Sequence, residues 1–274
     1  MSHAAANGVY LVTIEGAAFY RIRAFDDYPN LTHAIFTRQG GVSRSPFAGL
    51  NLGVSVGDDP AAVAENFRRV CRLVEITPEQ ATACHLTHSA DVFTVTQANR
   101  QRVMGQGDGL ITAEPGVYLA MRFGDCTPLI FFDPVRGAVG LTHAGWRGTM
   151  KNAAGATVSA LVERLGCRPE HIIAVIGPAI GPCCYEVGPE VMVAAEAAFT
   201  EANSLFSRRN GRPERAYFDM WAANRRQLAA GGVGQIIESG LCTACRTDLF
   251  YSHRAEQGRT GRFGVIIGLK GKTA

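Results

Sequence analysis

The sequence lacks the features that would place it in a membrane, on a nucleic acid or in a disulfide-stapled secreted fold. Its longest apolar runs, such as Val117–Ala120 and Leu129–Phe132, are strand-sized. A membrane helix needs ~20 apolar residues. Met1 to Gly8 has no basic segment followed by an apolar core, so no secretory signal is expected. Lysine and arginine form no stripe, and the net charge is only +3. That excludes a case for nucleic acid built on charge, and is compatible with a small anionic substrate. There is no internal repeat and no low-complexity segment. The expected location is therefore the cytoplasm, where thiols stay reduced. The eight cysteines then read as buried apolar residues, metal ligands or nucleophiles, and not as a disulfide framework.

What is present is an ordinary globular composition. The chain has 274 residues, 47% hydrophobic and 19% charged, enough to bury a sizeable core. One domain over residues 1–274 is expected, with 1–8 flexible. Val9–Ile14, Ala34–Thr37, Val92–Thr96, Val117–Arg122, Leu129–Phe132, Ala138–Thr142, Ile172–Ile176, Val233–Glu238 and Phe263–Ile267 read as strands. Asp59-Pro60 is an N-cap followed by proline, and Val63, Phe67, Val70 and Val74 follow at helical spacing, so 60–74 is a helix. Thr77 to Gln80 repeats the start signal as a capping box. Met150, Ala154, Val158, Leu161 and Leu165 mark a second helix, ended by Gly166. Pro189–Phe199 is a third, and a fourth, capped by Asp219, runs to about Ala230. The polar, arginine-bearing stretch from Glu201 to Arg215 reads as a surface excursion. Strict βαβ alternation is missing, so the fold class is α+β, with mixed sheets flanked by helices.

Chemistry is concentrated around one hairpin. Asp133-Pro134-Val135-Arg136-Gly137 is turn chemistry between two strands. Folding about residue 135 sets Cys126 beside His143 or its neighbour. Facing side chains there lie ~5 Å apart at Cβ. A thiolate and an imidazole at that distance can share a metal, or the imidazole can activate the thiol. Each residue alone would read as a core residue. As a pair at Gly-bracketed strand ends they read as a site. A third ligand is needed, and spacing leaves His85 and His88 both open.

Five stretches resemble one family. They are Phe36-Thr37-Arg38-Gln39-Gly40-Gly41-Val42-Ser43, Leu50-Asn51-Leu52-Gly53 with Val56-Gly57-Asp58-Asp59, Gly107-Asp108-Gly109-Leu110-Ile111-Thr112, the hairpin from Cys126 to Gly148, and Ile176 to Gly188. Cys242-Thr243-Ala244-Cys245 and Phe250-Tyr251-Ser252-His253-Arg254 also fit. The family is the YfiH-like, laccase-domain group, variously called multicopper polyphenol oxidase, purine nucleoside phosphorylase and peptidoglycan editing factor. The resemblance implies a YfiH-like, cysteine-hydrolase-type fold and a metal held by His88, Cys126 and His143. They match the family's His in Gln-Val-His-Gly, its Cys in Ala-Asp-Cys and its His in His-Ala-Gly-Trp-Arg-Gly. Here Leu86-Thr87-His88-Ser89 replaces the first motif, leaving His85 as the substitute ligand, and Phe123-Gly124-Asp125-Cys126 departs from the second.

Two imidazoles and a thiolate leave one position open on Zn²⁺, which is the catalytic pattern. Copper is also compatible, since affinity favours Cu²⁺. Asp125 would orient a ligand or move a proton, or else is a turn residue. Arg147 would clamp a phosphate or oxyanion. Arg38, before Gly40-Gly41, is a second candidate for anion binding. Cys183-Cys184 and Cys242-x-x-Cys245 read as buried thiols packed under the site, with a second shared metal as the alternative. The family implies first a purine nucleoside phosphorylase, acting on nucleoside and phosphate (adenosine, inosine or methylthioadenosine), with adenosine deamination as an added activity. The alternative is an amidase editing a nucleotide-linked muramyl precursor. Copper-dependent polyphenol oxidation ranks third, since the seven histidines include no His-x-His pair. A metal-binding partner protein without turnover would need a closed site.

Overall fold

The computed structural model describes residues 8–208 and 214–271. The flexible start expected over 1–8 therefore lies outside the described residues apart from Gly8. Strands β1 to β5 are Val9–Ile14, Ala17–Ile22, Leu31–Phe36, Ala81–His85 and Val92–Thr94. β6 to β10 are Val103–Gln106, Gly109–Thr112, Tyr118–Phe123, Thr127–Asp133 and Ala138–Ala144. β11 to β16 are Ile173–Ile176, Glu186–Val187, Phe206–Ser207, Ala216–Phe218, Gln235–Glu238 and Phe263–Leu269. Helices α1 to α5 are Pro60–Leu73, Trp146–Met150, Ala153–Leu165, Pro189–Ala198 and Met220–Ala230.

Two large mixed sheets stack face to face. One has seven strands in the order β1-β2-β3-β16-β8-β4-β6, and the other six in the order β15-β11-β9-β10-β7-β5. Side-chain alternation builds three core layers. Leu119, Met121 and Phe123 of β8 meet Ile130 and Phe132 of β9 between the sheets. Leu129 and Phe131 point the other way, onto Val158 and Leu161 of α3 and Leu228 of α5. Tyr118 and Ala120 face Val70 of α1. The order is helix, sheet, sheet, helix. Strands buried on both faces read as unbroken apolar runs, which is how β9 and β10 appear in the sequence.

Local signals hold where they are local. Asp59 caps α1, its side chain accepting from the Ala61 amide. Asp219 caps α5 by accepting from Ala222. Asp133 Oδ1 accepts the amides of Val135 and Arg136, closing the β9–β10 turn. The helix expected from Met150 instead breaks into α2 and α3. Asn152 takes a left-handed conformation at the break, and its side chain accepts from Gly155. The excursion expected from Glu201 to Arg215 is partly core. Ala202 and Leu205 are buried and β13 pairs with β14, while 209–213 lie outside the described residues. No helix among the described residues is long and apolar enough to cross a membrane.

Candidate metal centre and arginine-lined cavity

The chain passes from the first sheet to the second three times near one place, the β6–β7 step at residues 107–108 among them. Residues 86–91 connect β4 to β5, and 124–126 connect β8 to β9. His88 lies on the first crossing with φ +56°, and Cys126 on the third after Asp125 at φ +88°. His143 ends β10. The hairpin register pairs His143 with Pro128 and Ala144 with Thr127. Cys126 thus sits one step past the ladder, diagonal to His143 and not beside it as the turn midpoint suggested. A diagonal neighbour is still within reach of these side chains.

His88, Cys126 and His143 present one ligand atom each within 4.8 Å of one another. The two imidazole rings lie 5.2 Å apart. Gly145 makes the room: a Cβ there would meet Cys126 Sγ at 2.8 Å and His88 Nδ1 at 3.0 Å. His85 is exposed at the end of β4 and lies outside this group, although it lines the adjoining cavity. The donor set suits a borderline-soft divalent ion such as zinc.

Asp108 organises the group. It is fully buried just before β7, and β7 pairs with β10, so it arrives beside His143. Its Oδ1 lies 2.9 Å from His143 Nδ1. Its Oδ2 accepts from the amides and hydroxyls of Thr87 and Ser89 at 2.8–3.2 Å. One carboxylate therefore fixes the His143 ring and the loop that carries His88. Burial would raise the Asp108 pKa, but the bonds from His143, Ser89 and Thr87 outweigh it and hold the group well below the usual carboxylate range. An ionised carboxylate only accepts, so His143 Nδ1 carries the proton and Nε2 is left to face the thiol. Burial opposes charge on His143, but Cys126 and Asp108 override it and raise its pKa to about 9 in the metal-free protein. Burial and the neighbouring His143 lower that of His88. The sequence offered Asp108 only as part of a motif, without a role. Its signal was an acidic residue between two glycines before a short apolar run.

The group opens on a cavity of about 710 Å³. Arg122, Arg147, Arg254 and Arg262 line it, against one acid, Asp125. Asp125 is itself committed: Oδ1 accepts from Thr243 Oγ1 at 2.6 Å and Oδ2 from the Arg254 amide at 2.7 Å. It clamps the C-terminal loops to the turn that carries Cys126. Arg147 is exposed and stacks its guanidinium 4.2 Å over the Trp146 ring. Burial lowers the pKa of Arg122 and Arg262, yet a guanidinium stays charged. Arg38 is elsewhere. It bonds Thr247 O and Glu256 and lies 4.4 Å over Tyr251, outside the cavity lining. The structure does not bring Arg38, expected as a substrate-binding residue, to this cavity; the further cavity cations are Arg122, Arg262 and Arg254, of which only Arg254 lay in a stretch that the family resemblance marked. Arg122 and Arg262 come from separated parts of the chain, so no local pattern marks them.

A two-sheet α+β sandwich with a His/Cys group at the foot of a cationic cavity defines the class. The chain belongs to the family described as multi-copper polyphenol oxidoreductase laccase, whose model matches residues 32–270. It is 41% identical over 245 residues to the purine nucleoside phosphorylase YlmD of Geobacillus stearothermophilus, covering 85% of this chain and 88% of that one. It is 40% identical over 243 residues to a purine nucleoside phosphorylase of Deinococcus radiodurans, covering 88% and 91%. The crystal structure of YlmD from G. stearothermophilus superposes with a TM-score of 0.89 at 37% identity, over 97% of this chain and 100% of that one.

Proposed function

We propose that the protein is a zinc-dependent purine nucleoside phosphorylase. The observation that carries this reading is the open His88–Cys126–His143 group facing a cavity whose cations outnumber its single, already bonded acid. Such a cavity has a place for an anionic co-substrate. Relatives named as purine nucleoside phosphorylases support phosphate in that role. His88, Cys126 and His143 would hold the metal, which when bound supplies a Lewis acid at an open position.

The chain's own residues divide the remaining work. Arg147, pre-stacked on Trp146, and the desolvated Arg122 bind and orient phosphate. The phosphate oxygen attacks the anomeric carbon, the bond to the purine nitrogen breaks with its electron pair, and the base leaves after taking a proton. The products are the free base and ribose 1-phosphate. Arginines fixed by packing stabilise charge without reorganising. Asp108 keeps His143 and the His88 loop in place, and Asp125 keeps the Cys126 turn in place. In this reading Cys126 is a ligand, not the nucleophile of a cysteine hydrolase. Adenosine, inosine and methylthioadenosine are the substrates, adenosine deamination is a side activity, and the location is cytoplasmic.

Mass spectrometry of zinc-loaded protein given adenosine and phosphate tests it. Adenine with ribose 1-phosphate, lost in Cys126→Ala, is the expected result. Release of serine from a serine-bearing muramyl nucleotide with no ribose phosphate would replace this reading by the amidase. Oxidation of a catechol with copper, and no nucleoside turnover, would replace it by the polyphenol oxidase.

A further inference from the structure

The loops that wall one side of the cavity bring four more cysteines together. Cys183 and Cys184 lie in the turn after β11, and Cys242 and Cys245 in the segment after β15. β11 and β15 are parallel neighbours, so the chain leaves both at the same end. A bridge between Ala179 and Cys242 extends their pairing. The amide of Ala179 donates to Leu241 O, and that of Thr243 to Ala179 O. The four Sγ atoms lie within 4.8 Å of one another. Cys245 Sγ is 3.3 Å from Cys184 Sγ and 3.5 Å from Cys183 Sγ. No disulfide joins them. Cys183 and Cys245 are exposed and Cys184 is half-buried, so only Cys242 fits the expectation of buried packing thiols.

We propose that Cys183, Cys184, Cys242 and Cys245 form a second metal site, a closed tetrathiolate that binds zinc and ties the two loops together. Tetrahedral zinc with Zn–S bonds of ~2.3 Å sets its sulfurs ~3.8 Å apart, and the cluster is already gathered to about that spacing. Four thiolates select zinc over hard cations. The Cys242-x-x-Cys245 turn is closed by the Arg246 amide on Cys242 O. The Gly181 amide donates to Cys242 Sγ at 3.2 Å, an outer contact that favours the thiolate. Four protein ligands leave no open position, so this metal is structural. Its loops reach the cavity directly. Ile180 and Tyr185 flank the first pair, His253 and Arg254 follow the second, and all four line the cavity. Thr243, inside the second pair, donates to Asp125 beside Cys126.

Elemental mass spectrometry of protein purified anaerobically with zinc tests this. About two zinc ions per chain are expected in the wild type, with one retained in Cys126→Ala and one retained in Cys242→Ser/Cys245→Ser. Cobalt added to metal-free Cys126→Ala should give the sulfur-to-cobalt charge-transfer bands of a tetrathiolate. Zinc lost from the double variant but kept in Cys126→Ala supports this site even if the cavity metal fails. If the double variant does not fold, wild type titrated with a mercurial, with a chromogenic chelator reading released zinc, should lose its metal in two steps. A single zinc that Cys126→Ala abolishes, a one-step release, or a Cys184–Cys245 disulfide in the anaerobic sample would overturn it.

Discussion

The two sulfur-bearing clusters differ in surroundings more than in spacing. His88, Cys126 and His143 mix nitrogen with sulfur and border a large cavity, and a buried carboxylate holds two of them. Cys183, Cys184, Cys242 and Cys245 are all sulfur, sit near the surface and are held by a bridge between two loops. A mixed set that leaves a position open suits chemistry, and a complete set suits cross-linking. The same element, cysteine at a loop, serves either end depending on what fills the remaining positions.

The sharpest way to break this comparison is to remove one ligand from each cluster. Cys126→Ala should take nucleoside turnover to the assay floor and leave the thermal midpoint within a few degrees. Cys242→Ser/Cys245→Ser should do the reverse, lowering the midpoint by roughly 2–4 °C for each kcal/mol of lost cross-linking. Equal effects of both variants on turnover and melting would erase the distinction.

Next in size is Asp108→Asn. Partners that orient a metal-bound histidine are worth about 10–100-fold in metal affinity or activity. The amide also sets a donor against the donors of Thr87 or Ser89. A zinc-competition assay should show weaker binding at the cavity, with the tetrathiolate equivalent unchanged.

A pH titration separates metal-free from loaded protein. The His143 pKa is raised from 6.5 to about 9 in the folded chain. Its contribution is therefore fully present below 6.5 and is lost as pH rises through about 9. The midpoint of metal-free protein should fall over that window. Zinc-loaded protein, with neutral His143 as a ligand, should lack this step.

The smallest effects come from two arginines. Arg147→Ala should raise KM for phosphate and leave melting unchanged. Arg38→Ala should cost about 1 kcal/mol through its half-buried pair with Glu256 and leave KM unchanged. Exchanged outcomes would return Arg38 to the site.

Much of this was legible in the sequence because the signals are local. The caps at Asp59 and Asp219, the Asp133–Gly137 turn and the apolar runs of β9 and β10 each depend on a few consecutive residues. The pairing of Cys126 with His143 followed from one hairpin, with a register error that a diagonal contact tolerates. Only the tertiary structure decided the rest. Asp108 reaches His143 because β7 pairs with β10, a contact between residues 35 apart. His88 joins the group and His85 does not because the chain crosses between sheets after β4. Arg38 falls outside the cavity and Arg262 lines it through packing of separated loops. The four cysteines meet because two parallel strands end together. In each case the deciding contact joins residues distant in the chain, and sequence spacing carries no measure of that distance once the sheets have stacked.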